Sequence, residues 1–517
     1  MLPRLDDETF LRFLTDGFIV LQPDAHDALH QSLWQHADQR YEQARKLESP
    51  TAHLEILGDN LRAAVPEIDR LLTNPVIEGA VASVLGDGAF LHPHSFVHQS
   101  MATDQPFHQD GNLPWNERGH YRSHRADWLI MFYYPQAVTL TNGPTEIVTG
   151  SHYWTVDIEL PDGRWRPGDP IDPDMARDAL ADDNLSARDA ALAASLDKLG
   201  IPALERKFIE VPAGSVVIGS YDLIHRGSRT QPGEPPRYMY KFFYARTRNP
   251  SAPTWDNQLT QPSFEDLRDE LRPVVAANWA WSRGERLQSP LSASQRSQAL
   301  QDLVEGGEHL KVAAAYRLGS ATDQTSLTAL LDALHHDTEA TRRAAAYGLR
   351  LRSDEAGAAL ADAARSERVS VRRFAIFALG STWSPGTDVL LERLRHEPDD
   401  LARSNAAYAL GQLARHPGAD APRLLAAFVD RLKPGVEADN TRVAGLARST
   451  VRQSVAYALL QLAANHRLAL DERNQVGHLV SIESDRYVLG MLVEAVAQQS
   501  DDALVIRTLA ARRWSTA

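Results

Sequence analysis

Pro106-Phe107-His108-Gln109-Asp110 is the stretch from which the rest of the chain is read. His108 and Asp110 stand two positions apart, and on a β-strand residues two apart share a face. One imidazole and one carboxylate on one face hold a metal ion from one side. A third protein ligand is then required, and His225 supplies one far downstream. Two imidazoles and a carboxylate fill one face of an octahedron and leave the opposite face open. The chain has no cysteine. Disulfides, thiolate metal sites and cysteine nucleophiles are therefore excluded, and any metal is held by nitrogen and oxygen.

At 517 residues the chain is too long for one ordinary core, so two or more domains are expected. Hydrophobic residues make up 43% and charged residues 24%, an ordinary globular balance. The formal charge of -14 argues against nucleic acid as the main partner, because phosphate backbones want a basic field. No apolar run reaches the roughly 20 residues that span a bilayer, and no basic-then-apolar leader opens the sequence. A cytoplasmic protein with neither a membrane nor a nucleic-acid partner is expected.

Upstream of the metal stretch the pattern is mixed. Asp6-Asp7-Glu8 before Phe10, Leu11 and Phe13 reads as a helix start, with acids in the first turn. Gly17 to Leu21 reads as a strand, and Asp27 to Leu47 and Asn74 to Leu85 as helices. From Ala89 to Tyr244 strands dominate: Ala89 to Gln99, Trp128 to Tyr134, Glu146 to Val148, Phe208 to Val211, Ser215 to Gly219 and Tyr238 to Ala245. Turn signals at Asn142-Gly143-Pro144, Ala213-Gly214 and Pro232 to Pro236 separate them. Many short strands with long loops predict a double-stranded β-helix, a jelly roll of the cupin-like kind, with flanking helices. The polar insertion from Asp157 to Leu204 is either a lid or a solvated loop. His108, Asp110 and His225 on such a barrel form the donor set of mononuclear non-haem Fe(II) oxygenases, with open positions opposite.

Past residue 290 the composition turns to Ala, Leu, Arg and Asp, with helical periodicity and an internal repeat. Ala313 to Gly319 recurs at Ala344 to Leu349, Phe374 to Gly380, Asn405 to Gly411 and Ser454 to Leu459. The aromatic positions are Tyr316, Tyr347, Phe377, Tyr408 and Tyr457, spaced by 31, 30, 31 and 49 residues. A second apolar helix lies between copies, as at Leu327 to Leu334 and Val389 to Leu394. Each unit is a helix pair that cannot bury its apolar face alone, so the pairs stack into an α-solenoid. The aromatics are expected in the core, filling the gaps between layers. The long last spacing implies an inserted segment near Pro434 to Asn440. The chain divides into 1–290, a barrel, and 291–517, a solenoid.

The order of motifs in the first half resembles the phytanoyl-CoA dioxygenase family of Fe(II)/2-oxoglutarate oxygenases. The resemblance rests on Asp16-Gly17-Phe18-Ile19-Val20-Leu21, Phe107-His108-Gln109-Asp110, Asn142-Gly143-Pro144 with Gly150-Ser151-His152, and His225-Arg226-Gly227-Ser228 followed by Arg237. It implies that His108, Asp110 and His225 ligate Fe(II), and that 2-oxoglutarate chelates the iron through its keto and C1 carboxylate oxygens. The far carboxylate then needs a cation, and a guanidinium offers a planar fork. Arg237 is the expected partner, with Arg229 as runner-up and Ser228 adding a hydrogen bond. Dioxygen is the oxidant, and an unactivated C–H of a small molecule the target. Related halogenases carry Gly or Ala at the position of Asp110, so its carboxylate favours hydroxylation, desaturation or ring closure. The second half resembles HEAT-like repeats, most closely the short Ala-rich class found with phycobilin lyases.

Other candidates lie nearby. Gln99 and Trp128 are expected to face the cosubstrate, and His98, Tyr121 and Arg122 the substrate. Arg118, His124 and Arg125 share the loop with Tyr121. His92, His94 and His98 share one face if their strand is regular, and His152 reads as structural. Two other functions are open. A zinc hydrolase with two histidines and one aspartate uses the same donors, but the His-Glu helix motif that brings its general base is absent. A HEAT-repeat scaffold carrying a degenerate barrel is the other. Three roles suit the solenoid: part of the pocket, recruitment of a protein partner, or self-association.

Overall fold

The computed structural model describes residues 2–25, 27–47, 57–58, 61–110, 123–157, 159–160, some positions from 184 to 197, 205–381, 386–439, 441–443, 446–502 and 506–507. The first helix, α1 (Asp7–Asp16), starts where the Asp6 carboxylate accepts the Thr9 amide at 2.8 Å. It stops at Gly17, whose φ of 84° suits a residue without a Cβ. Helices α2 (Asp27–Lys46), α3 (Leu61–Ala64), α4 (Ile68–Leu72) and α5 (Pro75–Leu85) follow. The last is capped by Asn74 and opened by Pro75 at its first turn.

Two antiparallel sheets carry the pocket. The larger has five strands in the order β1 (Phe18–Leu21), β6 (Val216–Ser220), β3 (Trp128–Tyr133), β8 (Tyr238–Ala245) and β2 (Phe90–Gln99). The smaller places β4 (Thr145–Val148) between β5 (Arg206–Phe208) and β7 (His225–Gly227). Every residue of β3 and β8 is buried, as befits central strands covered on both sides. Along β8, Tyr238 and Tyr240 face α2, where the Tyr240 hydroxyl donates to the Leu33 carbonyl at 2.7 Å. Arg237, Met239 and Lys241 alternate with them and face the pocket. The sheets meet where the Tyr134 hydroxyl bonds Thr145 Oγ1 at 2.8 Å.

The strand expected at Phe208 to Val211 lies earlier, at Arg206–Phe208, and Val211 makes only an isolated bridge to Val138. Strand β2 is not regular either. His92, Pro93 and His94 stand opposite the single residue Phe243, between the pairs Leu91–Tyr244 and Ser95–Phe242. Proline cannot donate to a ladder, so it settles in such a bulge.

Helix α6 (Arg272–Ser282) closes the first half. Among the described residues six helix pairs follow: α7 (Ala293–Glu305) with α8 (Glu308–Ser320), α9 (Gln324–Ala333) with α10 (Glu339–Leu351), and α11 (Ser353–Ala363) with α12 (Val369–Leu379). Then come α13 (Gly386–His396) with α14 (Asp400–Ala414), α15 (Ala421–Leu432) with α16 (Thr450–Asn465), and α17 (Leu470–Ile482) with α18 (Arg486–Ala497). The long spacing before Tyr457 holds a small antiparallel hairpin, β9 (Thr441–Val443) and β10 (Leu446–Arg448). Close approach between neighbouring inner helices depends on glycine. A Cβ on Gly319 would meet the Gly348 carbonyl oxygen at 2.5 Å, and one on Gly411 the Gln461 side chain at 2.4 Å.

The repeat aromatics do more than fill gaps between layers. Tyr316 bonds His124 Nδ1 at 3.1 Å, and the Tyr347 ring lies 3.8 Å from the His124 ring. Tyr408 reaches Asp127, and Tyr457 donates to the Arg246 carbonyl at 2.7 Å while packing 4.9 Å from Trp128. The inner helices thus sit on the pocket-facing side of the five-stranded sheet, beyond the end covered by the smaller sheet. A buried ion pair joins the halves, with Arg415 Nη1 2.8 Å from Asp127 Oδ1. A second joins the backbone after β4 to the solenoid: Arg343 holds Glu308 and Asp157, and Glu308 and Glu339 accept the amides of Thr155 and Glu159. The rest of the 157–204 insertion falls almost wholly outside the described residues.

Candidate metal centre

His108 and His225 come together because their backbones form an antiparallel bridge, with reciprocal N–H to C=O bonds of 3.1 and 3.0 Å. Their ring centroids are 4.5 Å apart. Each ring bonds a backbone carbonyl through Nδ1: His108 to Pro106 at 3.1 Å and His225 to Leu223 at 2.9 Å. Nδ1 therefore carries the proton, and each Nε2 presents a lone pair. Burial, with His108 beside it, lowers the His225 pKa to about 3, which keeps the ring neutral and ready to ligate.

Asp110 completes the group. Its Oδ1 lies 3.9 Å from His108 Nε2, and its Oδ2 lies 3.9 Å from His225 Nε2. Two metal–ligand bonds of about 2.1 Å span at most about 4.2 Å, so both edges suit one shared ion. One ligand atom from each of the three residues lies within 4.8 Å of the others. Burial alone would raise the Asp110 pKa. Lys241, His225 and His108 overcome that and hold it below the ordinary carboxylate value.

Lys241 is a member of the site that the sequence reading misses. Its Nζ sits 2.8 Å from Asp110 Oδ2 and 3.0 Å from Oδ1, between the rings of Phe132 and Phe243. One carboxylate oxygen suffices for a metal, so the other can keep the lysine. The signal is present in β8: Lys241 is four positions past Arg237, hence on the same face.

These groups line a cavity of about 350 Å³. Arg237, buried to 2% exposure, has its Nε committed to the Gly143 carbonyl at 2.8 Å and its backbone N–H to Ser100 Oγ at 2.8 Å. Its Nη1 has no partner among the described residues, and neither does the buried Ser228 Oγ. Two orphaned donors in the same cavity as the three ligands are what a carboxylate bound beside a metal would satisfy. Arg229 is held elsewhere: its Nε is 3.5 Å from Asp104, and its backbone amide donates to the same residue.

Gln99 and His98 also line the cavity; Gln99 donates to the Tyr238 hydroxyl at 3.0 Å, and burial keeps His98 neutral. His94 joins them; His92 lies on the same side but further along the strand, packed on Trp128 and on Tyr487, which also meets His94. Trp128 does not line the metal cavity. It shares the inner face with Phe132, but four residues earlier, about 13 Å along the strand, where the solenoid covers the sheet. His124 and Arg125 lie at that same junction rather than in the pocket. His152 stacks on Tyr153 and backs Gly17, a structural position. Tyr121, Arg122 and Arg118 lie outside the described residues. His94 bonds the Tyr487 hydroxyl at 2.7 Å, so helix α18 touches the pocket wall. No helix among the described residues is long and apolar enough to cross a membrane.

Comparison with known proteins places a family profile in the second half: that of HEAT repeats matches residues 327–411. No curated protein sequence matches. Among solved structures, the chain is similar to HygX from Streptomyces hygroscopicus with nickel and 2-oxoglutarate bound. That likeness has 20% identity over 47% of this chain and 88% of that one, with a TM-score of 0.32. EctD from S. alaskensis with bound Fe is similar at 16% identity, over 47% of this chain and 78% of that one, with a TM-score of 0.32. The non-heme alpha-ketoglutarate-dependent carbocyclase SnoK from nogalamycin biosynthesis is similar at 15% identity, over 47% and 85%, with a TM-score of 0.32.

Proposed function

We propose that the first half is a jelly-roll Fe(II)/2-oxoglutarate-dependent dioxygenase that oxidises, by hydroxylation, an unactivated C–H of a small molecule. The observation that carries the reading is the convergence, in one cavity, of three metal-competent side chains with two unpartnered donors, Arg237 Nη1 and Ser228 Oγ. His108, Asp110 and His225 would hold the ferrous ion, and Arg237 with Ser228 the far carboxylate of 2-oxoglutarate. When bound, the pair supplies oxidation by dioxygen, with 2-oxoglutarate leaving as succinate and carbon dioxide. The chain's own contribution is positional. The two carbonyl-tethered imidazoles fix the ligand tautomers, Lys241 fixes the Asp110 carboxylate, and the buried Arg237 selects a dicarboxylate of one length.

The cavity is at the lower end of ligand-pocket sizes, which suits a specialised-metabolite or amino-acid-like substrate. Phe96, Met101 and Met239 give it apolar wall. A zinc hydrolase would want a second carboxylate as general base. Among the described lining residues Asp110 is the only carboxylate, and it is already used. The test is anaerobic titration with Fe(II) and 2-oxoglutarate, followed by visible absorption. A saturable charge-transfer band is expected; a hydrolase or a degenerate barrel would give none.

A further inference from the structure

A second cavity, of about 260 Å³, lies where the first half meets the solenoid. From the first half it is lined by Arg125, Asp127 and Trp281, and from the solenoid by Arg350, Ser381 and Arg415, among others. It shares no lining residue with the metal cavity. Its inner wall is dominated by guanidinium. Arg125 Nη1 and Arg350 Nε each donate to Ser381 Oγ at 3.0 Å, so two cations share one neutral acceptor. Asp127 is the inner carboxylate of this wall and is already paired with Arg415 at 2.8 Å, with Arg246 Nε 4.0 Å away. The remaining charged lining groups, Glu285, Arg286 and Asp354, are exposed at the rim. Arg286 there pairs with Glu355, and Glu285 with Arg283.

At neutral pH these guanidinium groups keep their protons despite the crowding. Burial, and Arg350 beside it, already lower the Arg125 pKa to about 9. The C-terminal ends of α10, α12 and α14 lie close by, and their carbonyls offset part of the charge. They do not satisfy the donors: Arg350 Nη2, on a side chain of 5% exposure, and Arg415 Nε both lack a partner among the described residues. The Ser381 hydroxyl adds a third donor. Both its lone pairs face guanidinium N–H groups, so its own proton is what it has left to give. Several donors from different directions, with excess positive charge, want an acceptor with several oxygens and more than one negative charge.

We propose that this junction cavity binds a phosphate-class oxyanion, free or as a phosphomonoester, held by Arg125, Arg350 and the Ser381 hydroxyl. The ligand bridges the two halves, since Arg125 comes from the first and Arg350 and Ser381 from the second. An occupied site therefore strengthens their docking.

The test uses the full chain and inorganic phosphate. Calorimetric titration at constant ionic strength, with chloride as the balancing anion, is expected to show saturable binding, accompanied by a rise in the thermal midpoint. Phenyl phosphate in a parallel arm separates the two sources: tighter binding than inorganic phosphate indicates an ester, weaker binding the free ion. Ser381→Ala and Arg350→Lys should each weaken phosphate by at least about tenfold, the loss expected for a hydrogen bond to a charged group. Arg237→Ala should leave it unchanged, which separates this site from the metal cavity. Ser381→Ala removes only a hydroxyl, and Arg350→Lys keeps the charge, so each checks the other for folding. Absence of saturable phosphate binding, equal binding in both variants, or acetate binding as tightly as phosphate would overturn the proposal.

Discussion

Arg237→Ala is the substitution with the sharpest expected consequence. The guanidinium is almost fully buried, lies 5.7 Å from the Tyr134 ring and has its Nη1 without a partner among the described residues. A carboxylate that meets it there gains a desolvated, charge-assisted contact. Removing one partner of such a pair costs roughly 2–5 kcal/mol, which corresponds to about thirtyfold to several thousandfold in affinity. Anaerobic calorimetry of 2-oxoglutarate binding to the metal-loaded protein should show a loss in that range. Arg237→Lys should fall between, because it restores the charge but not the fork or the bond to the Gly143 carbonyl. Arg229→Ala is the control: its side chain is held by Asp104, so 2-oxoglutarate affinity should hold within about twofold. Metal affinity and thermal midpoint, read on the same variants, separate a lost contact from a disturbed fold. An Arg237→Ala protein that binds 2-oxoglutarate within about twofold of wild type, or a larger loss from Arg229→Ala, would refute the assignment.

Other outcomes follow from the same geometry. His108→Ala or His225→Ala should abolish both ferrous binding and substrate-dependent succinate formation; retained metal affinity in either would remove the three-ligand centre. Asp127→Asn leaves Arg415 and Arg246 without their buried carboxylate and should cost about 3–5 kcal/mol, read from denaturant midpoints. Burial works against ionised Asp127, yet Arg415 holds its pKa down at about 2. Its stabilising contribution is therefore complete above about pH 4 and lost as pH falls towards about 2, and the Asn variant should lack that acid step. Tyr487→Phe strips His94 of its 2.7 Å partner and should raise KM for the organic substrate while leaving 2-oxoglutarate affinity unchanged. A chain ended at residue 290 should aggregate, because Trp128, His92 and His94 lose the helices that cover them; a soluble, fully active fragment would make the solenoid a separate module.

The features legible in the sequence are those written in local pattern. The pair His108 and Asp110 is a two-residue spacing, the strand Tyr238 to Ala245 is a continuous apolar run, and the repeat is a recurring Ala-rich string. What escapes is written across the chain. No local signal marks Asp127 as the partner of Arg415, since the two are 288 residues apart. Trp128 obeys the period-2 rule and faces inward, but the rule does not say which element covers that end of the sheet. Alternation puts His92 and His94 on one side, where both meet Tyr487, but it does not say that a bulge at Pro93 lies between them or that a helix near residue 490 covers them. Arg229 and Arg237 both fit the expected cation by distance in sequence; Asp104, which occupies the first, decides between them only in three dimensions. Lys241 is legible in principle from its spacing to Arg237, but a run of aromatics masks it.

The contact between Tyr487 and His94 spans 393 residues, and Gly490 beside it is seated on Pro93, where an added Cβ would come within 2.5 Å of the proline ring. Translation is vectorial. At roughly 5–20 residues per second, the helix that backs this wall leaves the ribosome roughly 20–80 s after the strand it backs. Throughout that interval the nascent barrel displays indole, imidazole and phenyl rings to water or to whatever chaperone shields them. Completion of the pocket wall thus waits on a helix made 393 residues after the strand it backs, and codon usage or truncation in the stretch that encodes that helix bears on chemistry encoded well upstream.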